Sequence, residues 1–83
     1  MVVRFLLWGL ADTNTSLEEL RAERLPQTPG ATQETWFADD ASDRFGGIAL
    51  FPDADAAAAP PPDRLRELLG KEPDVFELFV AVT

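Results

Sequence analysis

Apolar and polar positions alternate along residues 2–10, with Val3, Phe5 and Leu7 on one side and Arg4, Leu6 and Trp8 on the other. A period of two predicts a first β-strand. The spacing then changes. Leu17, Leu20 and Leu25 recur at helical intervals, and Ser16 with Glu19 has the spacing of a capping box, so a first helix is expected over residues 17–25, stopped by Pro26. Pro29-Gly30 turns the chain into a second strand, residues 32–38, where Thr35, Trp36 and Phe37 favour extended backbone. The polar stretch 39–43 reads as a hairpin loop into a third strand, Arg44–Phe51, antiparallel to the second.

Residues 53–59 have room for a helical turn or two before Pro60, Pro61 and Pro62, which cannot lie inside a helix. A further helix starts at Pro62 or Asp63, carries Leu65, Leu68 and Leu69, and stops at Gly70. Residues 75–82 alternate again and form the fourth strand. The order β-α-β-β-α-β predicts an α+β domain of ferredoxin-like architecture, a four-stranded antiparallel sheet with two helices on one face, spanning residues 1–83 as a single domain.

The third strand, RFGGIALF, is apolar in both directions, although helices in this architecture cover only one face. An unpaired charge is costly to bury, so Arg4 and Glu77 are expected on the uncovered side. The helices then cover Val3, Phe5, Leu7, Phe37, Ile48, Leu50, Phe76, Leu78 and Val80. The open face holds Leu6, Trp8, Trp36, Phe45, Ala49, Phe51, Val75 and Phe79, interrupted by Arg4, Glu34 and Glu77. A patch of that size marks an interface or a binding site, and a homodimer through this open sheet face is expected. Gly46 and Gly47 mark a bulge, a close backbone approach, or relief of crowding beside Trp36 or Phe45.

Composition narrows the chemistry. The 83 residues include no cysteine, histidine or tyrosine, which removes disulfides, thiolate or histidine metal sites, a Ser-His-Asp triad and a tyrosine acid or base. Fifteen acidic residues against seven basic ones give a net charge of −8, and that sign is repelled by nucleic acid and by anionic membranes. No apolar stretch reaches the roughly 20 residues of a membrane span. The start, MVVRFLLWGL, is read as a strand and not as a signal peptide, because Arg4 lies inside the apolar run. A cytoplasmic protein without cofactor or metal is expected. Asp39, Asp40 and Asp43 lack the glycine and distal glutamate of a calcium loop and read as a solvated hairpin. Asn14 reads as a turn or cap residue.

The segments PGATQETWFADDASDRFGGIALFPDADAA and RLRELLGKEPDV resemble small proteins of the dimeric α+β barrel superfamily, in its antibiotic-biosynthesis-type monooxygenase-like branch. Pro29-Gly30, Trp36, Phe45-Gly46-Gly47-Ile48, Leu50-Phe51 and the stretch from Gly70-Lys71 to Pro73 carry the resemblance. It implies a barrel built from two copies and a cofactor-independent monooxygenase acting on an aromatic or polyketide-like metabolite. Trp8, Trp36, Phe45, Ala49, Phe51, Glu77 and Phe79 would bind the substrate. Arg4 would steady an oxyanion and Glu34 or Glu77 would take a proton. Relatives often have lysine where this chain has Glu34, and a bulky aromatic where it has Ala49. The alternative expectation is a non-catalytic homodimer that binds a ligand or assists another enzyme, with Arg4 paired to Glu34 or Glu77 across the sheet and the aromatics serving as core.

Overall fold

A computed structural model describes residues 1–82. The elements run β1 (Val2–Gly9), α1 (Leu17–Ala22), β2 (Gln33–Asp39), β3 (Arg44–Phe51), α2 (Ala54–Ala57), α3 (Asp63–Leu69) and β4 (Val75–Val80). The four strands form one sheet in the order β2-β3-β1-β4, with every neighbouring pair antiparallel. The fold is therefore α+β, a four-stranded antiparallel sheet with three short helices.

Local chemistry sets the helix limits. The Ser16 hydroxyl accepts from the Glu19 amide, and the Glu19 carboxylate accepts from the Thr15 hydroxyl, so both ends of the first turn of α1 are tied down. Leu17 and Leu20 are the residues of α1 that turn inward. The helix is three residues shorter than its spacing predicts. Glu23 is already extended, and the proline at 26 holds the residue before it away from helical backbone. Asp53 caps α2 by accepting from the Ala56 amide at 2.8 Å. Gly70 ends α3 in the left-handed region, at a φ of 68°, where other residues are strained.

The sheet face under the helices differs from the one expected. Arg4, Leu6 and Trp8 of β1 are buried together with Phe45, Ala49 and Phe51 of β3. Leu6, Trp8 and Phe45 pack with Leu17 and Leu20 of α1 and Leu65 and Leu69 of α3, while Ala49 and Phe51 pack on Ala57 of α2. Val3, Phe5, Leu7, Phe37, Ile48 and Leu50, expected beneath the helices, lie on the open side. Ile48 is 44% exposed, and the others are half-buried. The expectation failed because it treated the Arg4 charge as unpartnered, whereas it is partnered inside the fold.

For β4 the assigned sides hold. Cross-strand pairing puts Phe76, Leu78 and Val80 beside Leu6, Arg4 and Val2, and puts Val75, Glu77 and Phe79 beside Leu7, Phe5 and Val3. The short helices do not extend over this edge strand, however. Phe76, Leu78 and Val80 stay exposed although they point to the helix side.

No bulge occurs at Gly46 and Gly47, since the pairing of β3 with both neighbours runs through them without a break. The glycines serve side chains on the edge strand β2. A Cβ on Gly47 would collide with the Trp36 ring on the helix side, and one on Gly46 would collide with the backbone carbonyl oxygen of Leu6, a close backbone approach, and come within 2.7 Å of Phe37 Cζ on the open side. Each ring lies across β3 where a side chain is missing. Trp36 thereby stacks on Phe45, with centroids 5.8 Å apart, and Phe37 stacks on Phe5 at 6.0 Å.

Candidate functional site

Three places in the fold collect the candidate residues: a buried pair under α2, a groove beside β2 and the open sheet face. Glu34, Ala49 and Arg4 stand side by side on β2, β3 and β1. Because alanine occupies the middle strand, the two long side chains meet above it. Arg4 Nη2 lies 3.9 Å from Glu34 Oε2, with the side chains 1% and 4% exposed. Arg4 Nη1 donates to the carbonyl oxygens of Ala57 and Ala59, at 3.3 and 2.5 Å, where α2 ends. Carbonyls at a helix C-terminus carry partial negative charge and suit a cation. The guanidinium also lies 4.7 Å from the centre of the Phe51 ring.

Glu34 is held in turn by Thr28, whose amide and hydroxyl donate to its two oxygens at 2.9 and 2.5 Å. Thr28 is 1% exposed. Sequence reasoning passed over this residue; its place between Pro26 and Pro29, in a turn that faces β2, is the signal that could have singled it out. Burial pushes the Arg4 guanidinium below its ordinary pKa, and the charge of Glu34 opposes that shift. Arg4 Nε and Nη2 have no hydrogen-bond partner. The two residues expected to be catalytic are thus brought together, while Glu77 is on the opposite face.

The expected aromatic walls do not line one cavity. Trp8 and Phe51 are fully buried, and Trp8 Nε1 donates to the Lys71 carbonyl at 3.2 Å. Ala49 and Phe45 are buried as well. Trp36 is half-buried and, with Phe45, walls a groove of about 270 Å³ between α1 and β2. Leu20 and Leu25 form its other apolar wall, and Arg21 and Glu23 sit at its mouth. A larger groove, about 510 Å³, runs between Pro26, Gln27 and Pro29 and the proline run 60–62. Ala59 lines it, the residue whose carbonyl holds Arg4.

Glu77 and Phe79 lie on the open face, where Phe79 is 50% exposed. The rows across that face read Phe37-Gly46-Leu7-Val75, Thr35-Ile48-Phe5-Glu77 and Gln33-Leu50-Val3-Phe79 from β2 to β4. The two central strands are apolar there and the polar groups stand on the two edge strands. Asp39, Asp40 and Asp43 form the hairpin, with Asp39 held by Ser42 and Arg44. Among the described residues no group of three potential metal ligands occurs, and no helix is long and apolar enough to cross a membrane. Comparison with known proteins finds no family that matches the chain and no curated protein significantly similar to it.

Proposed function

We propose that the protein is a homodimer that binds a small aromatic molecule. The observation that carries the dimer is the open face of Val3, Phe5, Leu7, Phe37, Ile48 and Leu50, apolar across both central strands and covered by no helix among the described residues. The strand order β2-β3-β1-β4, all antiparallel, supports reading the domain as ferredoxin-like, and two such sheets packed face to face support a dimeric α+β barrel. The footprint is adequate. Four strands ~4.8 Å apart, rising about 3.3 Å per residue, cover roughly 20 by 25 Å, which with side-chain relief is of the order of the ~800 Å² per partner in a stable interface.

The ligand site in this reading is the groove walled by Trp36 and Phe45. Stacked rings on one side and Leu20 and Leu25 on the other suit a flat apolar molecule, and Arg21 and Glu23 offer polar contacts at the mouth. Arg4 and Glu34 hold the sheet to α2 and to the loop at Thr28. The protein is non-catalytic in this account, a ligand-binding or accessory protein.

A second reading, a cofactor-independent monooxygenase, is favoured by Nε and Nη2 of Arg4, which have no hydrogen-bond partner, beside the carboxylate of Glu34. There Glu34 takes a proton from an aromatic substrate, Arg4 stabilises the resulting anion, and the anion reacts with dioxygen. A substrate methylene becomes a carbonyl: this four-electron oxidation reduces both atoms of dioxygen, one of which becomes the carbonyl oxygen while the other leaves as water with the two methylene hydrogens. Titration with aromatic polyketide-like compounds, followed by tryptophan fluorescence and oxygen consumption, separates the two. Quenching that disappears in Trp36→Leu, without oxygen uptake, supports the binding reading. Oxygen uptake by the unmodified protein that depends on the added compound overturns it in favour of the enzyme.

A further inference from the structure

Two sheets that meet through this face can do so in two aligned ways. With the two-fold axis along the strands, β4 lies over the partner's β2; with the axis across the strands, each strand lies over its own copy. The distribution of polar groups discriminates between them. Glu77 is the one charged residue in the middle row of the face, and among the described residues it has neither an ion pair nor a hydrogen bond in its own chain. At the other end of that row stands Thr35, with Gln33 in the next row along β2.

We propose that a second copy docks with the two-fold axis along the strands, so that Glu77 meets the partner's Thr35 and the partner's Gln33. The proposal rests on the dimer reading above and specifies its partner surface. A hydroxyl and an amide can donate to a carboxylate and keep it satisfied as water leaves the seam. The crossed alternative stacks Glu77 on its own copy. Two like charges in a partly dehydrated seam repel strongly, and none of the three rows of the face carries a lysine or arginine to offset them. The same seating puts the apolar columns of β1 and β3 over one another, Phe5 and Val3 against Ile48 and Leu50 and Leu7 over Gly46, and brings Val75 to Phe37 and Phe79 to Gln33 at the edges. Apolar groups thus cover apolar groups through the centre, with polar ones at both rims, the usual anatomy of a stable interface.

The absence of native cysteine gives a clean test with a thiol cross-linker of about 8 Å, a length suited to facing sheets ~10 Å apart. Glu77 is kept in both variants. Gln33→Cys combined with Phe79→Cys should yield a cross-linked dimer as the main product, because these positions face each other only with the axis along the strands. Within one chain they are three strands apart, ~14 Å, beyond the reach of the linker. Thr35→Cys alone should yield no cross-linked dimer. Cross-linking of Thr35→Cys to its own copy, or none in the double variant while sedimentation shows it to be a dimer, overturns the orientation and leaves the dimer standing. A monomer in sedimentation of the unmodified protein overturns the dimer reading itself.

Discussion

Arg4 and Glu34 meet above Ala49, guanidinium nitrogen 3.9 Å from carboxylate oxygen, although they belong to strands that are not neighbours. The alanine makes the meeting possible, and the position therefore tolerates little growth. Ala49→Phe forces both side chains off their partners and should destabilise the fold by about 1–3 kcal/mol or more, the usual cost of overpacking a filled interior. Urea unfolding followed by far-UV circular dichroism measures it. Unchanged stability would mean that the pair does not sit over this residue.

The pair itself should show strong coupling. Removing one member of a buried ion pair leaves the other without compensation, typically a loss of about 3–5 kcal/mol. Glu34→Gln and Arg4→Met should each approach that range. The double variant should be more stable than the sum of the two losses implies, because neither charge is then left alone. A double-mutant cycle in urea reads the coupling directly, and additive losses would contradict it.

Gly47 makes room for the Trp36 ring, so Gly47→Ala should cost stability while Trp36 is present and much less in a Trp36→Ala background. The expected difference is about 1–2 kcal/mol, taken from the cost of forcing a packed side chain off its rotamer and shifting its neighbours. Thermal unfolding of the four proteins tests it.

Acid should weaken the hairpin. Hydrogen bonds from Ser42, and then from Arg44, hold the Asp39 carboxyl down to about 2 from an ordinary value of 3.8. A depressed folded-state pKa stabilises above the unfolded value and loses that contribution as pH falls through the folded one. The contribution of Asp39 is complete above about pH 4 and fades toward about pH 2. Asp12 and Asp74 are lowered by Lys71 and by the Gly9 amide and add to the same slope. Asp39→Asn should reduce stability at neutral pH and flatten the loss between pH 4 and pH 2, as read by chemical denaturation at a series of pH values.

The strands were legible because period-two alternation is long and Pro and Gly punctuate it; β3 falls on residues 44–51 as the pattern predicts. Which face the helices cover was not legible. With Ile48 and Leu50 on one side and Phe45, Ala49 and Phe51 on the other, hydropathy is silent, and the charge of Arg4 became the deciding signal. That signal misled, because the carbonyls holding Arg4 are 53 and 55 residues away in the chain, at the end of a helical turn that the sequence places within 53–59 without showing which strand it packs on. The same reversal moved Trp8, Phe45 and Phe51 from an expected pocket into the core. Pairing of Arg4 with Glu34, one of the two partners the spacing allowed, depended only on strand order and was within reach.

The account turns on association through the open face. Sedimentation of the unmodified protein at micromolar concentration should give a dimer, and Ile48→Glu, which places a charge at a 44% exposed position outside the core, should give a folded monomer with unchanged circular dichroism. A folded monomer for the unmodified protein across that concentration range, or a dimer that persists in Ile48→Glu, would contradict it.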